Sequence, residues 1–498
     1  MQDEMDSLLE NNTWTLVQPP ADREILKGKW VFRTKLDAQG KPLKYKARWV
    51  VRGYEQVYGL DYTETYSPVI KPMSYKTLFA LAAQHDLELD HMDIKTAFLN
   101  GVLEETIFME QPTGFHDGTT RVCKLNRALY GLKQAPRVWN HTLSSFLKQQ
   151  GFIHTSADFS LFINSEGIIV AVYVDDLLLA GARIEAIAAL KHSLSERFKM
   201  TDLGPCHFYL GLQIIRDRPS RTLYISQKAY LEQVLSTFGM SDLNPTATPM
   251  DPSLDLIKAD SSFEPKAQDV KFYQSAVGSL MYAMLGTRPD LAYAVGKLSQ
   301  FSSKPDPSHF AALKRVFRYL NGTVSLALKY SPDTTQAFQL HGYSDADWAG
   351  EKSDRRSTRG YLFYVNNCLI SWSSKRQPTV ALSSCEAEYM ALTQAAKETI
   401  WLRQLLSEIN FPQIDSTIIS EDNKSAIALA HDPAFHARVK HIEIQHHFIR
   451  EKIESKEISL QHVTSEEMKA DGLTKPLGKT KFDSFLQHLG LCKLPLPA

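Results

Sequence analysis

The sequence predicts an α+β protein of more than one domain, and three features carry that expectation. Strand-like alternation and helix-like periodicity follow one another irregularly, without the strict strand–helix order of a doubly wound sheet. At 498 residues the chain exceeds what one hydrophobic core organises, and such a length corresponds to about two to four domains. Between residues 244 and 270, Pro245, Pro249, Pro252 and Pro265 stand among Ser, Asp and Ala, the composition of a linker.

Taken in order, residues 29–53 read as two strands, KWVFRTKL and YKARWVVRGY, about a turn at Ala38-Gln39-Gly40. Met73 to His85 has helical periodicity. His91 to Phe98 begins as a strand carrying Asp93, and Pro136 to Gln150 is again helical. Ile168 to Ala180 reads as a strand pair folded about Asp175 and Asp176. Beyond the linker, 271–330 reads as mostly helical, with Tyr282, Leu291, Tyr293, Val295 and Leu298 among its apolar positions. The pattern resets after Ser331-Pro332-Asp333. Three strand-like runs, Phe338–Trp348, Gly360–Asn366 and Leu369–Ser374, lead into a long helix from about Cys385 to Ile409, then a strand ending at Glu421 and more helix.

Hydrophobic content of 43% with 22% charged residues excludes a disordered chain. Lys+Arg and Asp+Glu both total 56, so no global positive field marks a nucleic-acid partner. A local track does exist: residues 23–56 hold ten Lys or Arg, including Lys46 and Arg48, against three acids. It is either a solvated hairpin face or a phosphate-binding surface. Five scattered cysteines, never spaced C-x-x-C, fit a reducing compartment and no cysteine zinc site. The N-terminus has no signal-peptide pattern, and the longest apolar stretch is too short to span a bilayer. A soluble, intracellular protein without a membrane partner is expected.

The run Ile168-to-Ala180 carries most of the chemistry. Two adjacent carboxylates inside an apolar β-rich stretch are unfavourable unless something compensates them. A tight turn could lift Asp175 and Asp176 into water, although no Gly, Asn or Pro stands beside them. A divalent cation is the other solution. Asp93 lies in a second apolar-flanked strand. If the two strands are neighbours, the three acids converge on a site suited to two Mg²⁺ or Mn²⁺ ions, which hard oxygen ligands favour over zinc.

Tyr173-Val-Asp-Asp176 resembles the Y-x-D-D motif of reverse transcriptases. The surrounding runs Asn12-Thr-Trp14, Tyr45-Lys-Ala-Arg48, Thr65-to-Val69, Asp93-to-Gly101, Leu129-to-Pro136 and Tyr209-to-Leu212 resemble, in order and spacing, the polymerase region of copia-type retrotransposon polyproteins. The resemblance implies fingers and palm over 1–243, a linker and mostly helical thumb or connection over 244–335, and a ribonuclease H-like mixed α/β domain over 336–498. It further implies that Asp93, Asp175 and Asp176 hold the metal ions. Phe98 would be an aromatic gate against ribonucleotides, though it serves equally as a core residue. Arg48 and Lys46 would reach the incoming triphosphate, a role suited to the donor fork of Arg. Gly131, Lys133 and Pro136 would line the pocket of the templating pair, and Phe208 to Leu212, with Gly211, would grip the primer.

The C-terminal third holds a second set of acids: Asp345 and Asp347 in a strand, Glu386 and Glu388 at the start of the long helix, Asp422 after a strand, and Asp471 opening the last helix. Singly, such acids are ordinary helix caps and dipole partners. Their order of strands and helix resembles the ribonuclease H fold, whose D-E-D-D set holds two metals; Asp345, Glu388, Asp422 and Asp471 take those places. Glu386 and Glu388 point to different helix faces, and the family pattern favours Glu388, before Tyr389-Met-Ala-Leu392. Asp347, beside Trp348, reads as structural support. His431, His436, His441, His446 and His447 have poor zinc spacing.

The expected protein is thus an RNA-directed DNA polymerase with ribonuclease H activity. Its partners would be an RNA template, a DNA or RNA primer, RNA–DNA hybrid and dNTPs, with two Mg²⁺ (or Mn²⁺) ions per site. No capsid, protease or integrase motif is present, which reads as a truncated insertion. A catalytically silent nucleic-acid-binding relic and a nuclease alone are the alternatives.

Overall fold

The computed structural model describes residues 1–36, 42–333, 335, 337–431 and 443–495. They gather into two compact units, Met1–Ile70 with Glu88–Pro205, and Lys71–Leu87 with Cys206–Ala498.

The first unit is organised by a six-stranded antiparallel sheet. Its strands run, edge to edge, Met200–Pro205, Glu88–Ile94, Asp176–Gly181, Ile169–Tyr173, Leu161–Ile163 and Ile153–His154. The apolar runs on either side of the two aspartates form its centre, which is why they read as nearly unbroken hydrophobic sequence. Val170, Val172, Leu177 and Leu179 bury one face against Trp139, Leu143, Phe146 and Leu147 of the helix Ala135–Gln149, and against Ile187, Leu190 and Leu194 of the helix Ile184–Arg197. A second core joins Met5 and Leu8 to Trp49, Met109, Cys123 and Leu129. There the four-stranded sheet of Trp14–Val17, Val122–Leu125, Phe108–Met109 and Ile25–Leu26 lies close to the antiparallel pair Gly28–Leu36 and Pro42–Val51. The turn expected at residues 38–40 lies outside the described residues.

The second unit holds two five-stranded sheets. One runs Phe208–Tyr209, Leu212–Asp217, Thr222–Ser226, Leu326–Tyr330 and Leu491–Lys493, all antiparallel. The other runs Cys368–Arg376, Thr358–Val365, Leu340–Asp347, Thr417–Glu421 and Ile458–His462; the first three strands are antiparallel and the last two join in parallel. The long helix, Ser384–Glu408, packs on this second sheet.

Three expectations change. Residues 326–330 are a strand, not the tail of a helical region, because Leu326 to Tyr330 pair with Thr222–Ser226. Asp471 opens only a short helix, Asp471–Thr474; the last helix is the separate Lys479–His488, set off by Pro476 and Gly478. The compact units also do not divide at 243 and 335, since one sheet draws strands from 208–226, 326–330 and 491–493. The 244–266 stretch does lack regular structure, and helix begins at Ala267. His436 and His441 lie outside the described residues.

Candidate active sites

In the first unit, Ile169–Tyr173 and Asp176–Gly181 are joined by Val174 and Asp175 alone, with Tyr173 opposite Asp176. The turn is tight without a glycine. Val174 takes the strain, with a φ of 56°, a left-handed conformation costing a β-branched residue about 1–2 kcal/mol. Such strain persists only where the surroundings over-determine it. Here the Trp139 indole N–H donates to the Val174 carbonyl at 2.7 Å, and the Ile94 N–H donates to the Asp175 carbonyl at 2.9 Å.

The same pairing brings in the third acid. Asp93 is the register partner of Asp176, and directly opposed residues of an antiparallel pair have Cβ atoms about 4.5–5.5 Å apart. All three acids are half-buried. Burial, and then the charges of Asp176 and Asp93, hold the Asp175 carboxyl above its ordinary range, while Arg48 opposes the shift. Burying like charges together in this way is what a bound cation would relieve. His91 Nε2 lies 3.2 Å from Asp176 Oδ1.

Arg48 approaches this edge by stacking. Its guanidinium carbon lies 4.8 Å from the centroid of the Tyr130 ring, and Tyr130 meets Phe98 edge-on with centroids 4.7 Å apart. Phe98 also packs against both cores of the unit. Lys46, two residues before Arg48 on one strand, shares its face, and both act on the carboxylate of Glu4. Tyr130 does not stand out in the sequence; one Tyr inside the run Leu129–Pro136 carries no separate signal.

Gly131 has a φ of 97°, and any side chain there would collide with the Val51 carbonyl, where Val51 N–H donates to Tyr130 O at 2.8 Å. Lys133 is engaged locally: its ammonium donates to the Tyr62 hydroxyl at 3.0 Å and its backbone N–H to Gln56 Oε1 at 2.8 Å. Pro136 lies in the first turn of the helix Ala135–Gln149 and accepts a hydrogen bond from Ser67 at 3.1 Å. In the second unit, Phe208 is exposed on a hairpin turned by Leu210 and Gly211, both with positive φ. Tyr282 donates to the Leu210 carbonyl at 2.9 Å, beneath Gly211.

The second acidic set is tighter. Asp345, Glu388 and Asp422 each offer an oxygen, all within 4.8 Å of one another, the one such set found among the described residues. The parallel pairing of Leu340–Asp347 with Thr417–Glu421 brings two of these elements together, and the long helix supplies the third. Glu388 is buried and takes the Ala346 N–H; burial and neighbouring acids push it far up. Asp345, pushed up by burial and by Asp471, accepts from the Thr474 hydroxyl. Asp471 is outside the tight set but beside it, 2.7 Å from Lys475. Glu386 serves the helix end instead. It accepts the Leu382 N–H at 2.7 Å while its own N–H donates to Ser383 at 3.2 Å, capping the helix. Sequence reasoning missed Glu421, fully buried beside Asp422. Oxygens in this number and density suit a hard divalent cation, and Glu388 Oε2 and Glu421 Oε2 are buried without a hydrogen-bond partner.

Comparison with known proteins adds the rest. A reverse transcriptase (RNA-dependent DNA polymerase) family model matches residues 11–252. The chain is 44% identical over 500 residues to the retrovirus-related Pol polyprotein from transposon TNT 1-94 of Nicotiana tabacum, covering 99% of this chain and 37% of that protein. It is 40% identical over 501 residues to the corresponding polyprotein from transposon RE1 of Arabidopsis thaliana, covering 99% of this chain and 34% of that protein. A putative transposon Ty5-1 protein of Saccharomyces cerevisiae is 34% identical over 313 residues, 62% of this chain and all of the yeast protein. The chain therefore spans about a third of the length of the two polyproteins. Among the described residues, no helix is long and apolar enough to cross a membrane.

Proposed function

This chain belongs to the copia-like retrotransposon Pol family and carries its reverse transcriptase domain, and on that footing we propose that it extends DNA on an RNA template and cleaves the RNA strand of RNA–DNA hybrids. The observation that supports the polymerase reading is the strand register: Asp93 opposite Asp176, with Asp175 on the turn between the strands. In this reading the three carboxylates hold Mg²⁺ or Mn²⁺. When bound, two such ions supply Lewis-acid stabilisation to the transferring phosphoryl group.

The chain's own residues do the rest. Trp139 and Ile94 fix the turn that presents Asp175 and Asp176, so the acids need little reorganisation. Arg48, braced on Tyr130, meets the phosphates of a dNTP, with Lys46 beside it. Phe98 crowds the sugar 2′ position. Gly131, Lys133 and Pro136 shape the wall beside the templating base, and the Phe208–Leu212 hairpin with Gly211 holds the primer. Asp345, Glu388, Asp422 and Asp471 hold the ions for hydrolysis, within the ribonuclease H-like segment 336–498. The segments 1–243 and 244–335 serve as fingers with palm, and as linker with thumb.

The second reading, a nuclease alone, is favoured by one observation: the tight three-acid set lies in the C-terminal part. Paired substitutions decide. Asp175→Asn is expected to abolish primer extension and spare hybrid cleavage, and Asp422→Asn to do the reverse. Cleavage without any extension in the parent protein supports nuclease only; loss of both activities in either variant contradicts two separate sites.

A further inference from the structure

Glu421 has no place in the four-acid set of Asp345, Glu388, Asp422 and Asp471, yet it is buried more completely than its neighbours. It ends the strand Thr417–Glu421 and is 0% exposed, against 3% for Asp345 and 6% for Glu388. Its Oε1 accepts the Asn423 N–H at 3.2 Å, while its Oε2 has no hydrogen-bond partner. Glu388 Oε2 is in the same condition. Among the neighbouring acids that act on Glu388, Glu421 acts most strongly, ahead of Asp345 and Asp422. Lys475, the nearby cation, pairs with Asp471 instead, 2.7 Å away.

Two buried carboxylate oxygens that repel one another and have no donor are strongly unfavourable unless a cation or a shared proton lies between them. Three oxygens within 4.8 Å beside them already form a cation-sized nest. We propose that Glu421 is a fifth carboxylate of this site, turned toward the divalent cation gathered by Asp345, Glu388 and Asp422, and that it sets how tightly that cation is held. The proposal rests on the reading of the C-terminal acids as a metal site.

The test is calorimetric Mn²⁺ binding to the full chain, with Asp175→Asn and Asp176→Asn present to silence the first site. In that background Asp345→Asn is expected to abolish the remaining binding. Glu421→Gln, which keeps the shape and removes the charge, is expected to weaken it about tenfold, the lower end of what loss of a supporting group around a metal costs. Glu421→Asp, with the charge on a shorter arm, is expected to fall between Gln and parent, and circular dichroism verifies the fold of each. If Glu421→Gln binds Mn²⁺ like its parent while Asp345→Asn does not, or if the Gln and Asp variants are alike, the proposal is overturned and Glu421 is a proton-sharing neighbour of Glu388. If Asp345→Asn also binds normally, the metal-site reading itself is wrong.

Discussion

Asp345→Asn should stabilise the metal-free protein at neutral and alkaline pH while destroying its hydrolytic site. Burial first, and then the charge of Asp471, raise the Asp345 carboxyl from 3.8 to about 7, with Lys475 and the Thr474 hydroxyl opposing. At roughly 1.4 kcal/mol per pH unit, that rise corresponds to an upper bound of about 4 kcal/mol. Asparagine forfeits the attraction of Lys475 as well as the repulsion of the acids, so a gain of about 2 kcal/mol is expected. The sign follows from proton uptake. With the folded value above the unfolded one, the folded state binds more protons between about pH 4 and 7. Stability is therefore lost as pH rises through that window, and the penalty is complete above about 7. Urea unfolding in EDTA, followed by tryptophan fluorescence, should show the variant ahead at about pH 8 and the gap narrowing toward about pH 4.5. Adding Mg²⁺ should stabilise the parent more than the variant. An offset independent of pH, or equal stabilisation of both proteins by Mg²⁺, would refute the crowding argument.

Gly131→Ala should be costly on two counts, a φ of 97° and a collision with the Val51 carbonyl. A loss of at least about 2 kcal/mol is expected in the same urea assay, and a neutral result would mean that the close approach is not maintained. Phe98→Ala removes the ring that meets Tyr130. It should raise ribonucleotide incorporation relative to dNTP by tenfold or more in single-nucleotide extension; an unchanged ratio with lower stability would leave Phe98 a core residue only. Trp139→Phe deletes the donor to the Val174 carbonyl. It should cost about 1–2 kcal/mol of stability and lower the extension rate, and an unchanged rate would show that the turn does not need this anchor.

The elements around both acidic sets were legible because their signals are local. The apolar run broken by Asp175 and Asp176 becomes the central hairpin, and the helix Ala135–Gln149 follows its periodicity closely. What the sequence could not show is which distant segments pair. No residue near Leu491 announces that Leu491–Lys493 will lie beside Leu326–Tyr330, so domain limits drawn at a proline-rich stretch missed the sheet that crosses them. Val174 illustrates a different loss. Turn chemistry argued for Gly, Asn or Pro, but tertiary hydrogen bonds from Trp139 and Ile94 replace that local preference. Glu421 was passed over because a carboxylate at a strand end looks ordinary until its burial is known. The separation of Glu386 from Glu388, by contrast, could be argued from helix geometry alone.

Whether the acids opposed across the first sheet support DNA synthesis can be settled by one comparison on purified protein. A DNA primer annealed to an RNA template is incubated with dNTPs and Mg²⁺ or Mn²⁺, using the parent chain and Asp93→Asn. The expected result is full extension by the parent, none by the variant, and equal primer–template binding by both. Extension that survives in Asp93→Asn, or a parent that binds primer–template tightly yet never extends it, would contradict the polymerase reading and leave a nucleic-acid-binding relic in its place.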